Sequence, residues 1–138
     1  MSTVTRGNAA EAAVLQAFAA AGFHVLVPFG DGLPFDLDVV TGAAEILRIQ
    51  VKCGRVRRGC VEFNSASTDH GHGQRRYRGR ADLMHVHVPD PCEVFVLPVD
   101  DCPTSRGFLR LEPARNNQQR GVRRAADYSF EAWVGSAA

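Results

Sequence analysis

Two patterns of apolar and polar residues run through the first part of the chain, one helical and one typical of strands. Apolar residues recur at helical spacing between positions 14 and 19. Asn8, followed three residues later by Glu11, predicts the beginning of a helix through a capping box, and Gly22 predicts its end. The sequence therefore predicts an amphipathic helix near the N-terminus.

Alternation in the segments that follow predicts a β-hairpin. In residues 34–40 and 45–52 every second residue is apolar, and the link 41–44 is short enough for a tight turn. Other strand-like segments are residues 23–29, 61–63, 82–88 and 93–99. We predict a single α/β domain over residues 1–138, with a mixed β-sheet flanked by helices and a less regular segment from about residue 105.

The hairpin geometry places three polar side chains on one face. If the turn lies midway along the link, Asp36 stands across from Gln50 and Asp38 stands across from Arg48. Residues directly opposite in an antiparallel pair have side chains about 5 Å apart on the same face. Lys52 follows Gln50 by two positions, so parity keeps Asp36, Gln50 and Lys52 together.

Lys52 is unusual because the other fifteen of the sixteen basic residues are arginine. A lysine ammonium is a compact point charge, whereas an arginine side chain is bulky and planar. A site that needs a small cation beside a reacting water would explain one lysine in an arginine-rich chain. A lysine that reaches solvent from a strand end, or that pairs structurally with Asp36, is the simpler alternative.

Glu11 lies on the same helical stripe as Leu15 and Phe18, so its carboxylate is expected to face the sheet. An inward carboxylate is costly without a partner, and a divalent cation or Lys52 would supply one. Two carboxylates and an amide carbonyl are hard oxygen ligands that suit Mg²⁺ or Mn²⁺. The simpler interpretations are a capping residue for Glu11 and a turn residue for Asp36.

Asp36 in "PFD" and the later "QVK", with thirteen residues between Asp36 and Gln50, resemble the PD-(D/E)XK nuclease superfamily. Glutamine in place of the second acid resembles the branch of small bacterial endonucleases and group I intron homing endonucleases that carry Q-x-K. The helix pattern and later segments fit as well, so the resemblance extends from about residue 7 to residue 128. It implies a restriction-endonuclease-like fold and a metal-dependent DNA endonuclease that hydrolyses phosphodiester bonds.

The resemblance also implies a role for each matching residue. Asp36 would be the central metal ligand, Glu11 the helix acid that holds the metal or its waters, and Lys52 the lysine beside the nucleophilic water. Gln50 would take the place of the second acid with a neutral carbonyl, so cation affinity should fall. The implied catalytic set is Glu11, Asp36, Gln50 and Lys52, with Glu11, Asp36 and Gln50 as ligands of Mg²⁺ or Mn²⁺. Asp38 has no matching role.

Cations concentrate between Lys52 and Arg80, although the formal net charge of the chain is only +1. A local patch of this kind matters more for phosphate binding than the total charge does. The candidate DNA-binding residues here are Arg55, Arg57, Arg58, Arg75, Arg76 and Tyr77. A second basic run contains Arg120, Arg123 and Arg124. Solvated arginine-rich loops are the alternative for both clusters.

Histidines and cysteines allow a zinc site to be considered. The two candidate sets are His85 and His87 with Cys92 and Cys102, and His70 and His72 with Cys53 and Cys60. Neither set has a recognised ligand spacing, so core or surface histidines and inert thiols are the alternative. Without a secretion signal we expect reduced cysteines.

No apolar run suits a signal peptide or approaches the roughly 20 residues of a membrane span, so we expect a cytoplasmic bacterial protein whose partner is DNA and not a membrane. Cleavage of both DNA strands with one such site per subunit would need a homodimer or a higher homo-oligomer. Two rival functions remain open. One is a catalytically degenerate nuclease fold that only binds nucleic acid, and the other is a zinc-stabilised interaction domain.

Overall fold

The computed structural model of the chain describes all residues except 43, 70–72, 76, 78, 114, 115, 117–119 and 138, and only the backbone of 67–69 and 73–75. Helix α1 spans Thr3–Ala20 and helix α2 spans Phe130–Ala137. The strands are β1 His24–Leu26, β2 Leu37–Val40, β3 Ile46–Arg57, β4 Cys60–Asn64, β5 Ser67–Asp69, β6 Gly73–Arg75, β7 Leu83–Pro89, β8 Cys92–Pro98 and β9 Arg106–Arg110.

One mixed sheet of seven strands forms the centre of the described fold, which confirms the predicted class. Strands β1, β2, β3, β4 and β9 lie side by side in that order, each antiparallel to the next. Strand β7 pairs with β3 in parallel and with β8 antiparallel. Strand β3 is therefore the one strand that contacts β2, β4 and β7, and it organises the sheet.

The predicted register of the β2–β3 hairpin is confirmed. Asp38 lies opposite Arg48, and Leu37 lies opposite Ile49. Strand β3 is longer than predicted, because it continues past Lys52 to a two-residue turn at Arg58 and Gly59 that leads into β4. Both turn residues have positive φ, as tight hairpin turns require.

The predicted beginning of α1 is wrong. The helix begins at Thr3 with Ser2 as its N-cap, whose Oγ accepts a hydrogen bond from the Thr5 amide at 3.1 Å. Asn8 and Glu11 lie inside the helix, so Glu11 is not a capping-box residue. The predicted end is confirmed, since the helix stops at Ala20 and Gly22 follows with φ +90°.

Each face of the sheet carries its own hydrophobic cluster. On one face, α1 packs over β2, β3 and β7 and α2 packs against β8, with Val14 and Phe18 of α1 and Phe130 of α2 in the cluster. On the other face, Val61, Phe63, Met84, Val86, Leu97 and Leu109 form the second cluster. Irregular segments and two short 3₁₀ turns, Val99–Asp101 and Ala125–Tyr128, contribute to this second side.

His85 belongs to the helix-covered face and is fully buried. Its ring lies 4.7 Å from the Phe18 ring, and the rings of Phe130 and Trp133 are 6.2 Å away. Neither ring nitrogen has a hydrogen-bond partner. Burial lowers the pKa of His85 to about 3, so this imidazole is a neutral core ring.

No helix among the described residues is both long enough and apolar enough to cross a membrane. All four cysteines are free thiols, as expected.

The contact between β4 and β9 gives a direct test of the sheet packing. Gly107 pairs with Phe63, and a β-carbon on Gly107 would lie 2.2 Å from Cζ of that ring. We expect Gly107→Ala to lower the free energy of unfolding by about 1–3 kcal/mol, because the ring must move. Gly7→Ala is the control: it meets no atom within 4 Å in α1 and should raise stability by about 1 kcal/mol or less. The measurement is the midpoint of urea unfolding of each variant relative to wild type. If the midpoints of Gly107→Ala and Gly7→Ala shift in the same direction, this packing is contradicted.

Candidate active site

The candidate site lies beside the middle of β3, between the part of the strand that pairs with β2 and the part that pairs with β4. Strand β3 pairs with β2 up to Ile49 and with β4 from Gly54 onward. In the interval, the Val51 amide donates a hydrogen bond of 2.8 Å to Oδ2 of Asp36. A carboxylate thus takes the position that a neighbouring strand would otherwise occupy.

Asp36 is held from two directions just before β2. Its own amide donates to the Ile49 carbonyl oxygen at 2.8 Å, and its side chain accepts from Val51. The backbone of β3 therefore fixes where this carboxylate lies. The paired register of β2 and β3 ends at Leu37 opposite Ile49, so the predicted pairing of Asp36 with Gln50 stays a prediction.

Glu11 reaches Asp36 from helix α1. The two carboxyl groups are close enough for each to shift the pKa of the other. Burial raises the pKa of Glu11, and the charge of Asp36 raises it further. Burial also raises the pKa of Asp36, although the Val51 amide, the Glu11 carboxyl group and the Lys52 charge act in the opposite direction. Because both carboxyl groups resist ionisation when they are close together, a cation bound between them would stabilise their charged forms.

Lys52 lies on the same side of the site and is close enough to lower the pKa of Asp36. Its Nζ donates to the Ala66 carbonyl oxygen at 3.2 Å and to the Tyr77 hydroxyl at 3.0 Å. The ammonium also lies 4.8 Å from the centroid of the Tyr77 ring. Lys52 is thus a positioned cation and does not extend freely into solvent.

Gln50 is half-buried beside these groups on the polar face of β3. Its Nε2 donates to the Val51 carbonyl oxygen at 3.1 Å, so the opposite end of the amide is the end that would meet a cation. Within the described ranges, no three His, Cys, Asp or Glu side chains converge on one point. A hard divalent ion at Glu11 and Asp36 would therefore need further oxygen donors, for which the Gln50 carbonyl is the predicted candidate.

Comparison with known proteins places the chain in a family. The sequence profile described as PD-(D/E)XK endonuclease matches residues 1–131. The chain belongs to this family. A solved structure titled as that of a bacterial homing endonuclease, I-Ssp6803I, has the same fold, with a TM-score of 0.72 and 24% identity over 99% of this chain and 94% of that one. Comparison with curated proteins gives no significant match.

Asp38 of this PD-(D/E)XK family member belongs to a separate cluster. Asp82 accepts hydrogen bonds from the Arg48 amide at 2.7 Å and from the Arg48 guanidinium at 3.1 Å, and this bonding lowers the pKa of Asp82. Burial raises the pKa of Asp38, which lies across from Arg48. The cluster joins the start of β7 to β3, which is a structural role.

The predicted DNA-binding residues occupy different positions in the structure. Arg55 and Arg57 are exposed on β3, and Arg58 is exposed in the turn that follows. Only the backbone of Arg75 is described, and Arg76 lies outside the described residues. Tyr77 is buried, with 6% of its surface exposed, and contacts Lys52. Its position therefore suits a role inside the candidate site.

The structure does not assemble the first candidate zinc set. His85 is enclosed by aromatic rings, and the Cys102 thiol contacts the sulfur of Met84 at 3.8 Å on the other face. His87 Nε2 and Cys92 Sγ are 3.7 Å apart without a third ligand among the described residues. In the second set, His70 and His72 lie outside the described residues.

Two contacts of this site were not predicted from the sequence, namely the Ala66 carbonyl and the Tyr77 hydroxyl on Lys52. The Asp82 carboxylate on Arg48, in the separate cluster, was not predicted either. The sequence predicts Tyr77 as a DNA-binding residue beside arginines and not as a partner of Lys52. No local pattern identifies a main-chain carbonyl fourteen residues away as a partner of Lys52.

The paired acids make a prediction about stability and pH. Their pKa values are raised in the folded state, so ionisation costs stability above those values, and the cost disappears as the pH falls below the ordinary carboxyl pKa of about 4. In metal-free buffer at about pH 8, we expect Glu11→Gln to raise the melting temperature. The gain should shrink toward zero near pH 4, and Mg²⁺ should narrow it at pH 8. Melting curves across this range, with the exposed Glu131→Gln as control, test the idea; a gain that grows toward acid pH would contradict it.

Proposed function

We propose that the chain is a divalent-metal-dependent endonuclease that hydrolyses phosphodiester bonds in DNA at the Glu11–Asp36–Lys52 site. The observation that carries this proposal is the contact between two carboxyl groups beside a positioned ammonium. Membership of the PD-(D/E)XK endonuclease family supports the reaction type. The fold shared with I-Ssp6803I, a bacterial homing endonuclease, supports DNA as the substrate.

Asp36 and Glu11 would hold the ion, and the carbonyl end of Gln50 would complete the protein ligands. A bound Mg²⁺ or Mn²⁺ would neutralise charge on the scissile phosphate and lower the pKa of a bound water. Both acids have raised pKa values, so without a metal ion they favour the protonated form. A bound cation would take the place of that proton. The residues present therefore fit such an ion.

Lys52 would orient the attacking water or stabilise the negative charge that develops on the phosphate. Its ammonium has three N–H donors, and two of them bond to Ala66 and Tyr77. The remaining donor is directed by those two bonds. Phosphoryl transfer depends mainly on positioning and charge stabilisation, which this arrangement would supply.

One site per chain hydrolyses one strand at a time. We propose that cleavage of both strands uses a homodimer or higher homo-oligomer, because two sites must then face the two backbones. Gel filtration and analytical ultracentrifugation with and without DNA would determine the assembly.

The neutral Gln50 favours a second candidate, a family member that binds DNA without turnover. A missing negative charge weakens the hold on a divalent ion. In that case DNA binding would persist across substrates while no cleavage product accumulates with either Mg²⁺ or Mn²⁺.

Asp36 and Lys52 give the direct test of catalysis. We expect Asp36→Asn and Lys52→Ala each to lower the rate of nicking of supercoiled plasmid by at least about 100-fold, because each removes a group that acts on the reacting centre. Glu131→Gln on α2 should cleave at the wild-type rate. A panel of linear, supercoiled and branched DNA with Mg²⁺ or Mn²⁺ is the assay. If the wild-type protein binds DNA but cleaves no substrate of this panel, the enzyme proposal is wrong.

Gln50→Glu tests the metal ligands separately from catalysis. The added carboxylate should tighten binding of Mg²⁺, so the Mg²⁺ concentration that gives half the maximal rate should fall several-fold. Gln50→Ala should move it in the opposite direction. Calorimetric titration with Mn²⁺ provides a readout that does not depend on cleavage. Identical metal affinities in all three proteins would exclude Gln50 from the ligand set.

A further inference from the structure

Lys52 bonds to neutral oxygens, although a carboxylate lies near it. Its charge acts on Asp36, yet among the described residues no ion pair joins these two side chains. Two of its three N–H donors bond instead to the Ala66 carbonyl oxygen at 3.2 Å and to the Tyr77 hydroxyl at 3.0 Å. An ammonium beside a carboxylate ordinarily gains from pairing with it. The surroundings of Lys52 therefore restrain it.

Tyr77 forms one side of this restraint. It is buried and belongs to the hydrophobic cluster on the sheet face away from the helices. Its own carbonyl oxygen accepts hydrogen bonds from the amides of Arg80 at 2.8 Å and Ala81 at 3.0 Å. The ring centroid lies 4.8 Å from Lys52 Nζ, so a cation–π attraction adds to the hydrogen bond. Because the ring is packed in the core, the hydroxyl stays in place if the lysine moves.

The Ala66 carbonyl forms the other side, and Ser65 fixes it. Both residues are buried and directly follow β4. The Ser65 amide donates to the Ser105 carbonyl oxygen at 2.9 Å, and the Ser65 hydroxyl donates to the Pro103 carbonyl oxygen at 2.7 Å. These bonds tie the chain after β4 to the chain before β9. The carbonyl that receives Lys52 is thus attached to the sheet through a buried serine.

We propose that Tyr77 and Ser65 are positioning residues that keep the Lys52 ammonium from pairing with Asp36, so that the carboxylate remains available to the divalent ion. We call the Tyr77 side chain, the Ser65 side chain and the Ala66 carbonyl the lysine clamp. The proposal rests on the proposed function and adds to it the residues that keep the ion site open.

The chemistry of the site gives the clamp its purpose. An ammonium bonded to Asp36 would occupy the oxygen that a metal ion needs, so the ion would have to break that pair before it could bind. Neutral acceptors hold Lys52 without cancelling its charge, which stays available to the negative charge that develops on the phosphate. The third N–H donor remains for the water or the phosphate. The clamp thus separates two groups that must act together without neutralising each other.

Lys52 is the only lysine of the chain, so its surroundings can be observed directly. Protein labelled with ¹⁵N and ¹³C at lysine alone gives one set of side-chain NMR signals. The Nζ signal should shift in Tyr77→Phe, because this variant keeps the ring and loses the hydroxyl that accepts from Lys52. Tyr128→Phe is the matched control. It removes the hydroxyl of the other tyrosine, which packs against the same cluster, and should leave the Lys52 signals unchanged.

Metal affinity tests what the clamp does, without any cleavage. In calorimetric titrations, Tyr77→Phe should weaken Mn²⁺ binding by about two- to five-fold, because the released ammonium can form an exposed ion pair with Asp36. The same substitution made in Lys52→Met should leave Mn²⁺ affinity unchanged, since no ammonium remains to compete. If Tyr77 only supported the fold, its substitution would weaken Mn²⁺ binding equally in both backgrounds.

Ser65→Ala tests the second side of the clamp and should weaken Mn²⁺ binding in the same direction. Its control is Ser129→Ala, which removes a hydroxyl that accepts from the Ala132 amide at the start of α2. Unchanged Mn²⁺ affinity in Ser65→Ala would remove Ser65 from the clamp.

The clamp and the nuclease can fail separately. If Tyr77→Phe keeps the wild-type Lys52 signal or Mn²⁺ affinity, or loses as much affinity in Lys52→Met, the clamp is overturned while the nuclease proposal stands on its cleavage assays. If the clamp variants behave as expected and wild-type protein cleaves no DNA, the nuclease proposal fails and the clamp remains. Wild-type protein that takes up no Mn²⁺ would overturn both.

Discussion

The hydrogen bond between the Val51 amide and the Asp36 carboxylate is the interaction on which the site depends. At 2.8 Å it ties a residue that precedes β2 to the strand that carries Gln50 and Lys52. Because side chains alternate along β3, fixing Asp36 against Val51 also fixes its relation to the residues on either side. Glu11 then completes the group from the helix. A flexible acid at this place would leave the ammonium and the second carboxyl without a common centre.

The hydrophobic cluster on the sheet face away from the helices also supports the site. Tyr77 is part of the hydrophobic cluster that contains Met84 and Leu97, yet its hydroxyl bonds to Lys52. The core on that face therefore supports the ammonium directly. This arrangement explains how one long and otherwise mobile side chain keeps a defined position beside Asp36. It also links the packing of the sheet to the chemistry proposed for its edge.

Much of this could be predicted from the sequence, because strand parity is a local property. The alternation in residues 34–52 was enough for the register of β2 and β3. The start of α1 was predicted wrongly, since Asn8 with Glu11 imitates a capping box while Ser2 does the capping. Strand β9 lies in the segment expected to be irregular, and it acquires its partner only in the folded sheet. The ion pairs of Glu62 with Arg55 and Arg106 join three strands, so no window of sequence contains them.

His85 has a consequence for the response of the fold to acid. With both nitrogens enclosed by aromatic rings, the folded chain does not take up a proton there until about pH 3, whereas an unfolded chain does so near the ordinary histidine pKa of about 6.5. Acid therefore draws the equilibrium toward the unfolded chain through this residue, while the same acid relieves the repulsion between Glu11 and Asp36. The two protonations oppose each other. Between about pH 4 and pH 6.5 the free energy of unfolding therefore depends on the balance of these two opposing protonations.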